Sequence, residues 1–370
     1  KDKWRNIPVD YYVEKEYEPY AKQIFGNTPE MIEFFSKRLN YDYPWAKYSQ
    51  ITARDYVSGA MENTTAVLHQ ESAQQKPGDL IDENKWEDVI SHELFHHWFG
   101  DLVTAESWSN LTVNESFANY SEYLWNEYKY GKDFADYTLM KAAEGYFRDP
   151  SNVSKDLVRF DYHSREDMFD GVSYNKGGSI LHMLRNYLGD DAFFAGLNDY
   201  LKTNEYGTGE AQQLRLSLEK VSGKDLNWFF NQWYYGSGHP KISYTTSFEP
   251  VKKMVTITIN QNQIGENFQF PLAIDVYENG KPTRKNVWIA AKEKNDFTFQ
   301  VSKNPDFVNI NADGVLLGEF TETKTPEQYF TQYTNSKDFL SRYKAVENAV
   351  ENKGVTPASL KTLVAALKAR

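Results

Sequence analysis

The 370-residue chain contains no cysteine, which removes disulfide staples, thiolate metal sites and thiol nucleophiles together. It also lacks any run of about eighteen apolar residues, so no membrane span is expected. Its start, Lys1-Asp2-Lys3-Trp4-Arg5, has no apolar signal core, and that leaves the compartment open. A basic excess is missing too. Against 52 Asp and Glu stand 41 Lys and Arg, and the net charge of −11 argues against a nucleic-acid surface, which needs clustered cations. An acidic cleft would instead favour cationic groups such as a peptide amino terminus. Aromatics are plentiful: 26 Tyr and 23 Phe, within 40% hydrophobic residues, suffice for a large core and for lining a cleft. At this length two or three domains are the prior expectation.

The most informative segment is His92-Glu93-Leu94-Phe95-His96. Residues four apart on a helix lie on one face, so His92 and His96 can grip one ion, while Glu93, one step round, is placed as a base rather than a ligand. Trp86, Val89, Ile90, Leu94 and Trp98 recur at the intervals of a mostly buried helix. Two histidines alone on an apolar face are as often structural as ligating. A second helical pattern through Tyr120 and Leu124 opens with Asn114-Glu115, and Glu115 completes a His-His-carboxylate set that leaves one position free on zinc. Two turns further along that face, Glu122 is read as an acceptor that orients a ligand.

Elsewhere Ile7, Val9 and Tyr11 alternate as in a strand, and Thr28 with Pro29 reads as the N-cap and first residue of a helix through Leu39. Strands are expected over 48–57 and 64–70, flanking Gly59-Ala60-Met61-Glu62-Asn63. Helices are expected over 133–147, 174–188, 190–203, 209–221 and 226–235. After Gly236-Ser237-Gly238-His239-Pro240 the period changes to two, with short strands at 255–259, 272–277, 287–290, 297–301 and 308–310, as in a small sandwich. From Thr325-Pro326 the pattern is helical again and stops too soon for a domain.

With Gly59-Ala60-Met61-Glu62-Asn63 beside the zinc residues, the chain resembles the zinc aminopeptidase family that includes aminopeptidase N and a bifunctional leukotriene-epoxide hydrolase. The resemblance implies an α+β fold. A thermolysin-like, mostly helical catalytic domain over 1–238 would be followed by an all-β sandwich over 239–322 and a truncated α-helical segment over 323–370. It implies one zinc ion on His92, His96 and Glu115, Glu93 as general base, and peptides with a free amino terminus as substrates. Val172-Ser173-Tyr174-Asn175-Lys176-Gly177 matches the family's Tyr-x-Lys-Gly context, which makes Tyr174 the expected donor to the oxyanion. Glu62 resembles the carboxylate that binds the substrate's α-amino group, and Gly59, Ala60 and Met61 would run beside the peptide as an added strand does.

The sequence departs from the family at several positions. Thr64-Thr65 stands where Trp-Gly is usual, His97 where Gln is common, Asp101 for Asn and Ser116 for Gly. The family's amino-terminal β-domain, which contributes to the amine site, and most of its helical carboxy-terminal domain have no counterpart in these residues. The expectation is therefore a chain that binds zinc and turns over peptides poorly. Two rivals are a thermolysin-like endopeptidase, which would not need Glu62, and a peptide-binding scaffold of the same fold, which would not need Glu93. The preferred amino-terminal residue and the oligomeric state are not encoded in any motif.

Overall fold

Alternating apolar residues in β2 (Ile7–Tyr12) bury Val9 between β1 (Asp2–Trp4), antiparallel, and β3 (Tyr48–Ala53), parallel. The parallel pairing requires a crossover, supplied by α1 (Ala21–Phe25) and α2 (Thr28–Leu39). After β4 (Ala60–Met61), the strand β5 (Ala66–Gln70) pairs parallel with β3, and β4 folds back antiparallel to β5 as the edge of a sheet ordered β1-β2-β3-β5-β4. The computed structural model describes residues 1–351 and 356–369. It falls into two compact units, Lys1–Gly131 with Thr138–Ser237, and Lys132–Tyr137 with Gly238–Arg370.

One local expectation needs correcting. Asn27, not Thr28, is the N-cap of α2, and Thr28 is buried inside the first turn. Its hydroxyl donates to the Phe25 carbonyl at 2.7 Å and accepts from Gln50 Nε2 at 2.8 Å, so it ties the helix to β3 instead of capping it.

The first unit continues with α3 (Glu87–Phe95), β6 (Val103–Ala105), α4 (Thr112–Tyr130) and the greater part of α5 (Lys132–Arg148). Then come α6 (Gly177–Leu188), α7 (Asp190–Asn204), β7 (Gly207–Gly209), α8 (Ala211–Ser222) and α9 (Asn227–Trp233). The parallel pair β6-β7 is too short to show as a sequence period. α3 packs along α4: Ser91 Oγ lies 3.2 Å from Ser121 Oγ, and Trp125 Nε1 donates to Glu87 at 2.6 Å. Small residues at that crossing allow a close approach. Beside it Ile90, Leu94, Phe95, Phe99, Phe117 and Leu124 are buried, with Phe99 and Phe117 stacked at 4.1 Å. Each such side chain contributes roughly 1.5–3 kcal/mol on burial, and together they fix the two helices that carry the polar cluster described below.

In the second unit β8 (Lys241–Glu249), β9 (Met254–Gln261), β10 (Phe270–Glu278), β11 (Lys281–Ile289), β12 (Lys294–Gln300), β13 (Phe307–Ile310) and β14 (Glu319–Thr321) form two sheets, ordered β12-β9-β8-β14 and β11-β10-β13. Val255, Ile257 and Ile259 of β9 point inward at period two. β13 is buried throughout, because its sheet is also covered by helices: Asn309 Nδ2 donates to Ser341 Oγ at 2.7 Å. Those helices are α10 (Pro326–Asn335), α11 (Phe339–Glu351) and α12 (Pro357–Lys368). Thr325 caps α10 reciprocally with Gln328, as a Thr-Pro start followed by Gln favours. Among the described residues no helix is long and apolar enough to cross a membrane.

Candidate active site

His92 and His96 stand one turn apart at the end of α3, their ring centroids separated by 4.9 Å. The helix stops at Phe95, and His96 occupies the C-cap with right-handed backbone angles. Each ring is fixed through Nδ1: His92 donates to Glu122 Oε1 at 2.8 Å, and His96 donates to the Phe99 carbonyl at 3.0 Å. With both Nδ1 atoms committed, the two Nε2 atoms face the same carboxylate oxygen. Glu115 Oε2 lies 3.3 Å from His92 Nε2 and 3.4 Å from His96 Nε2.

That arrangement suits a metal ion. Ligands bound at about 2.1 Å in a tetrahedron lie about 3.4 Å apart, which is the nitrogen–oxygen spacing found here. The ligand atoms of all three buried residues lie within 4.8 Å of one another, so the cluster could hold an ion. The electrostatics agree. Burial pushes the Glu115 carboxyl up, and the two imidazoles more than offset that, holding it well below the usual carboxylate range. Burial lowers the His96 imidazole, but Glu62 and Glu115 lift it to about 10. Nitrogens so strongly attractive to a proton are placed where they would also attract a cation.

Glu93 lies beside this set. It is 6% exposed, its Oε2 has no hydrogen-bond partner, and burial raises its pKa to about 7. An unpartnered carboxylate oxygen in the interior is costly, and one tuned to neutrality suits a group that takes and returns a proton. Glu62 reaches the same place from β4, with Oε1 4.0 Å from His96 Nδ1. Glu62, Glu93 and His96 form a second group with ligand atoms within 4.8 Å. Gly59 accepts Gln70 N–H through its carbonyl at 2.9 Å, and a methyl group added to it would meet no atom within 4 Å. Protein packing therefore does not require glycine there.

Tyr174 arrives from a π-helical turn, Val172–Lys176, that leads into α6. Its ring lies nearly parallel to His92, at 5.8 Å and 8°. Burial, followed by the nearby Glu115 carboxylate, raises the phenol far above its ordinary range, so it keeps its proton and has a hydrogen to donate. Several bonds hold the turn. Ser116 Oγ donates to the Ser173 carbonyl at 2.7 Å, and Asp170 Oδ1 accepts from Val172 and Ser173 N–H at 3.0 and 3.1 Å.

All the residues singled out in the sequence, Gly59 to Glu62, His92, Glu93, His96, Glu115, Glu122 and Tyr174, thus lie in the first unit, and the charged ones among them converge. Sequence reasoning missed the supporting contacts. The Phe99 carbonyl, the Ser116 hydroxyl and the bond from Thr65 N–H to His97 Nε2 at 2.9 Å have no local pattern that announces them. The only signals were the unusual residues at 65, 97 and 116.

An α+β fold that brings a His-x-x-x-His helix against a glutamate-bearing helix is an arrangement suited to a metallopeptidase site. The chain belongs to peptidase family M1: the model of the Peptidase family M1 domain matches residues 24–233. It is 28% identical over 339 residues to aminopeptidase 2, mitochondrial, of Saccharomyces cerevisiae, covering 86% of this chain and 34% of that protein. To aminopeptidase N of Streptomyces lividans it is 32% identical over 244 residues, 63% of this chain and 28% of the relative. Leucyl aminopeptidase of Saccharolobus solfataricus is 29% identical over 316 residues, 80% of this chain and 38% of the relative. In fold the chain is similar to the crystal structure of Legionella pneumophila aminopeptidase A in complex with aspartic acid, with a TM-score of 0.82 at 18% identity, covering 97% of this chain and 43% of that one. The chain therefore spans 34% and 38% of the length of the yeast and Saccharolobus relatives.

Proposed function

We propose that this chain carries the catalytic machinery of a zinc aminopeptidase, which releases residues from the free amino end of peptides. The observation that carries the reading is the convergence of His92, His96 and Glu115, whose ligand atoms lie within 4.8 Å of one another, beside the carboxylates of Glu93 and Glu62. In this reading His92, His96 and Glu115 hold one zinc ion. Zinc, when bound, supplies Lewis acidity that polarises a carbonyl and acidifies water. Glu93 accepts a proton at its unpartnered Oε2 as water attacks the scissile carbonyl, holds it, and delivers it to the departing amine.

Tyr174 donates its hydroxyl hydrogen to the oxygen that gains charge, a role suited to a phenol that burial keeps protonated. Glu62 pairs with the substrate's ammonium group and so sets which bond is cut. Gly59, Ala60 and Met61 flank the peptide along the β4 edge, where the open space at the Gly59 Cα admits another backbone. Glu122 keeps the His92 ring in the tautomer that offers Nε2. The same reading divides the chain into a catalytic domain over 1–238, a sandwich over 239–322 and the opening of a helical domain over 323–370.

The test is a panel of amino-acyl fluorogenic substrates, each with an amino-acetylated counterpart, assayed with and without a chelator. Free-amine substrates should be cleaved, the chelator should abolish cleavage, and added zinc should restore it. Equal cleavage of acetylated substrates would sink the proposal.

A further inference from the structure

The four positions Thr64, Thr65, His97 and Asp101, each a departure from the residues usual in the family, meet in one place. Asn63–Ala66 is a turn closed by Ala66 N–H donating to the Asn63 carbonyl at 2.7 Å, and its third residue, Thr65, has φ +66°. That conformation favours glycine, and a β-branched side chain disfavours it further. The Thr65 N–H donates to His97 Nε2 at 2.9 Å, and the Thr65 carbonyl accepts from Ser49 N–H at 3.0 Å.

The His97 ring is itself fixed. It is fully buried, and its Nδ1–H donates to the Glu93 carbonyl at 3.2 Å. Tyr43 lies against one side at 5.6 Å and Tyr48 packs edge-on at 5.0 Å. Asp101 Oδ2 stands 3.7 Å from Nε2, and the Thr64 side chain interacts with the same carboxylate. One imidazole thus joins the backbone of the base, Glu93, to the end of the loop that carries Glu62 three residues earlier.

We propose that His97 is a positioning residue for recognition of the substrate's amino group. By accepting the Thr65 N–H it holds an otherwise disfavoured turn, and the turn holds Glu62 at its distance from the metal-ligand set. The proposal rests on the aminopeptidase reading above, in which Glu62 pairs with the ammonium group. It accounts for how a threonine is held at positive φ in this turn. Without an acceptor at 97 the part-buried Thr65 N–H would lose its partner and the turn its tether.

The test compares binding of an amino-acid hydroxamate and its desamino counterpart to zinc-loaded protein by calorimetry, with metal content measured for every variant. Asparagine at 97 keeps a donor for the Glu93 carbonyl and loses the far acceptor, whereas glutamine can present an oxygen where Nε2 lies. His97→Asn should cut the preference for the free-amine ligand about tenfold or more, as losing the alignment of a charge-assisted bond does. His97→Gln should keep it. Thr65→Gly placed in the His97→Asn background should restore it, because glycine holds positive φ without a tether. If the asparagine variant does not fold, His97→Met, similar in volume and without the acceptor, replaces it. A folded, zinc-loaded His97→Asn with the full preference, or a double variant that does not recover, overturns the proposal and leaves the aminopeptidase reading standing. A wild-type protein with no preference between the two ligands overturns both.

Discussion

Two segments deliver a side chain to the ligand cluster, and they are held in different ways. The π turn Val172–Lys176 that presents Tyr174 is fastened along its length, by Ser116 to one carbonyl and by Asp170 to two amides. The loop that presents Glu62 follows β4, which is paired with β5, and it is joined to the segment after the metal-binding helix by the bond from Thr65 N–H to His97 Nε2 and by the Thr64 contact with Asp101, across a turn with positive φ. In the proposed function the difference follows what each would have to meet. A donor to an oxyanion must sit within a few tenths of an ångström of one point. A displaced carboxylate keeps part of its attraction for an ammonium group, which varies slowly with distance, and loses the directed hydrogen bond.

The comparison can be broken first at the group both segments serve. Glu93→Gln should lower kcat by about 10²–10⁴-fold while metal content stays stoichiometric, since it removes the proton carrier and no ligand. Retained turnover would place the base elsewhere. Tyr174→Phe should cost about 10²–10³-fold in kcat with little change in KM, because the donated bond forms as charge develops. For Glu62→Ala the loss should fall in KM, by about ten- to a hundredfold, and only for substrates with a free amine. An equal loss on acetylated substrates would contradict the register role.

Two smaller effects sharpen the contrast. Ser116→Ala removes one of several fastenings, so it should destabilise the protein by about 1 kcal/mol and lower kcat only severalfold; thermal melts beside kinetics measure both. Thr65→Gly relieves a backbone conformation that costs of order 1–3 kcal/mol for a residue with a side chain, against a larger loss of chain entropy on folding. A net gain of about 1 kcal/mol or less is expected. An unfolding midpoint that falls instead would show that the threonine side chain itself is needed at the turn.

How far the sequence could be read depended on how local the cause was. His92, Glu93 and His96 were legible because one helical period places them, and Glu115 because it opens a second helix. The boundary of α2 misled, since Thr28 has the composition of a cap but finds partners in Phe25 and Gln50. β8 went unseen: Tyr244 and Ile242 are buried, but Thr245, Thr246 and Ser247 are exposed in a row, so no period of two emerges. Glu62 and Tyr174 needed the family resemblance, because nothing within ten residues of either says what lies opposite. The His97 contact lay further out of reach, joining residues 32 apart through a backbone angle that no composition predicts.

The bonds from His92 to Glu122 and from His96 to the Phe99 carbonyl have a thermodynamic consequence. They freeze both imidazole rotors during folding, so an arriving cation orders nothing and its affinity is not diminished by lost side-chain motion. Loading should therefore be separable from folding. The stripped protein should keep the helix content of the loaded form by circular dichroism, as expected if the proposed ion serves chemistry and not architecture.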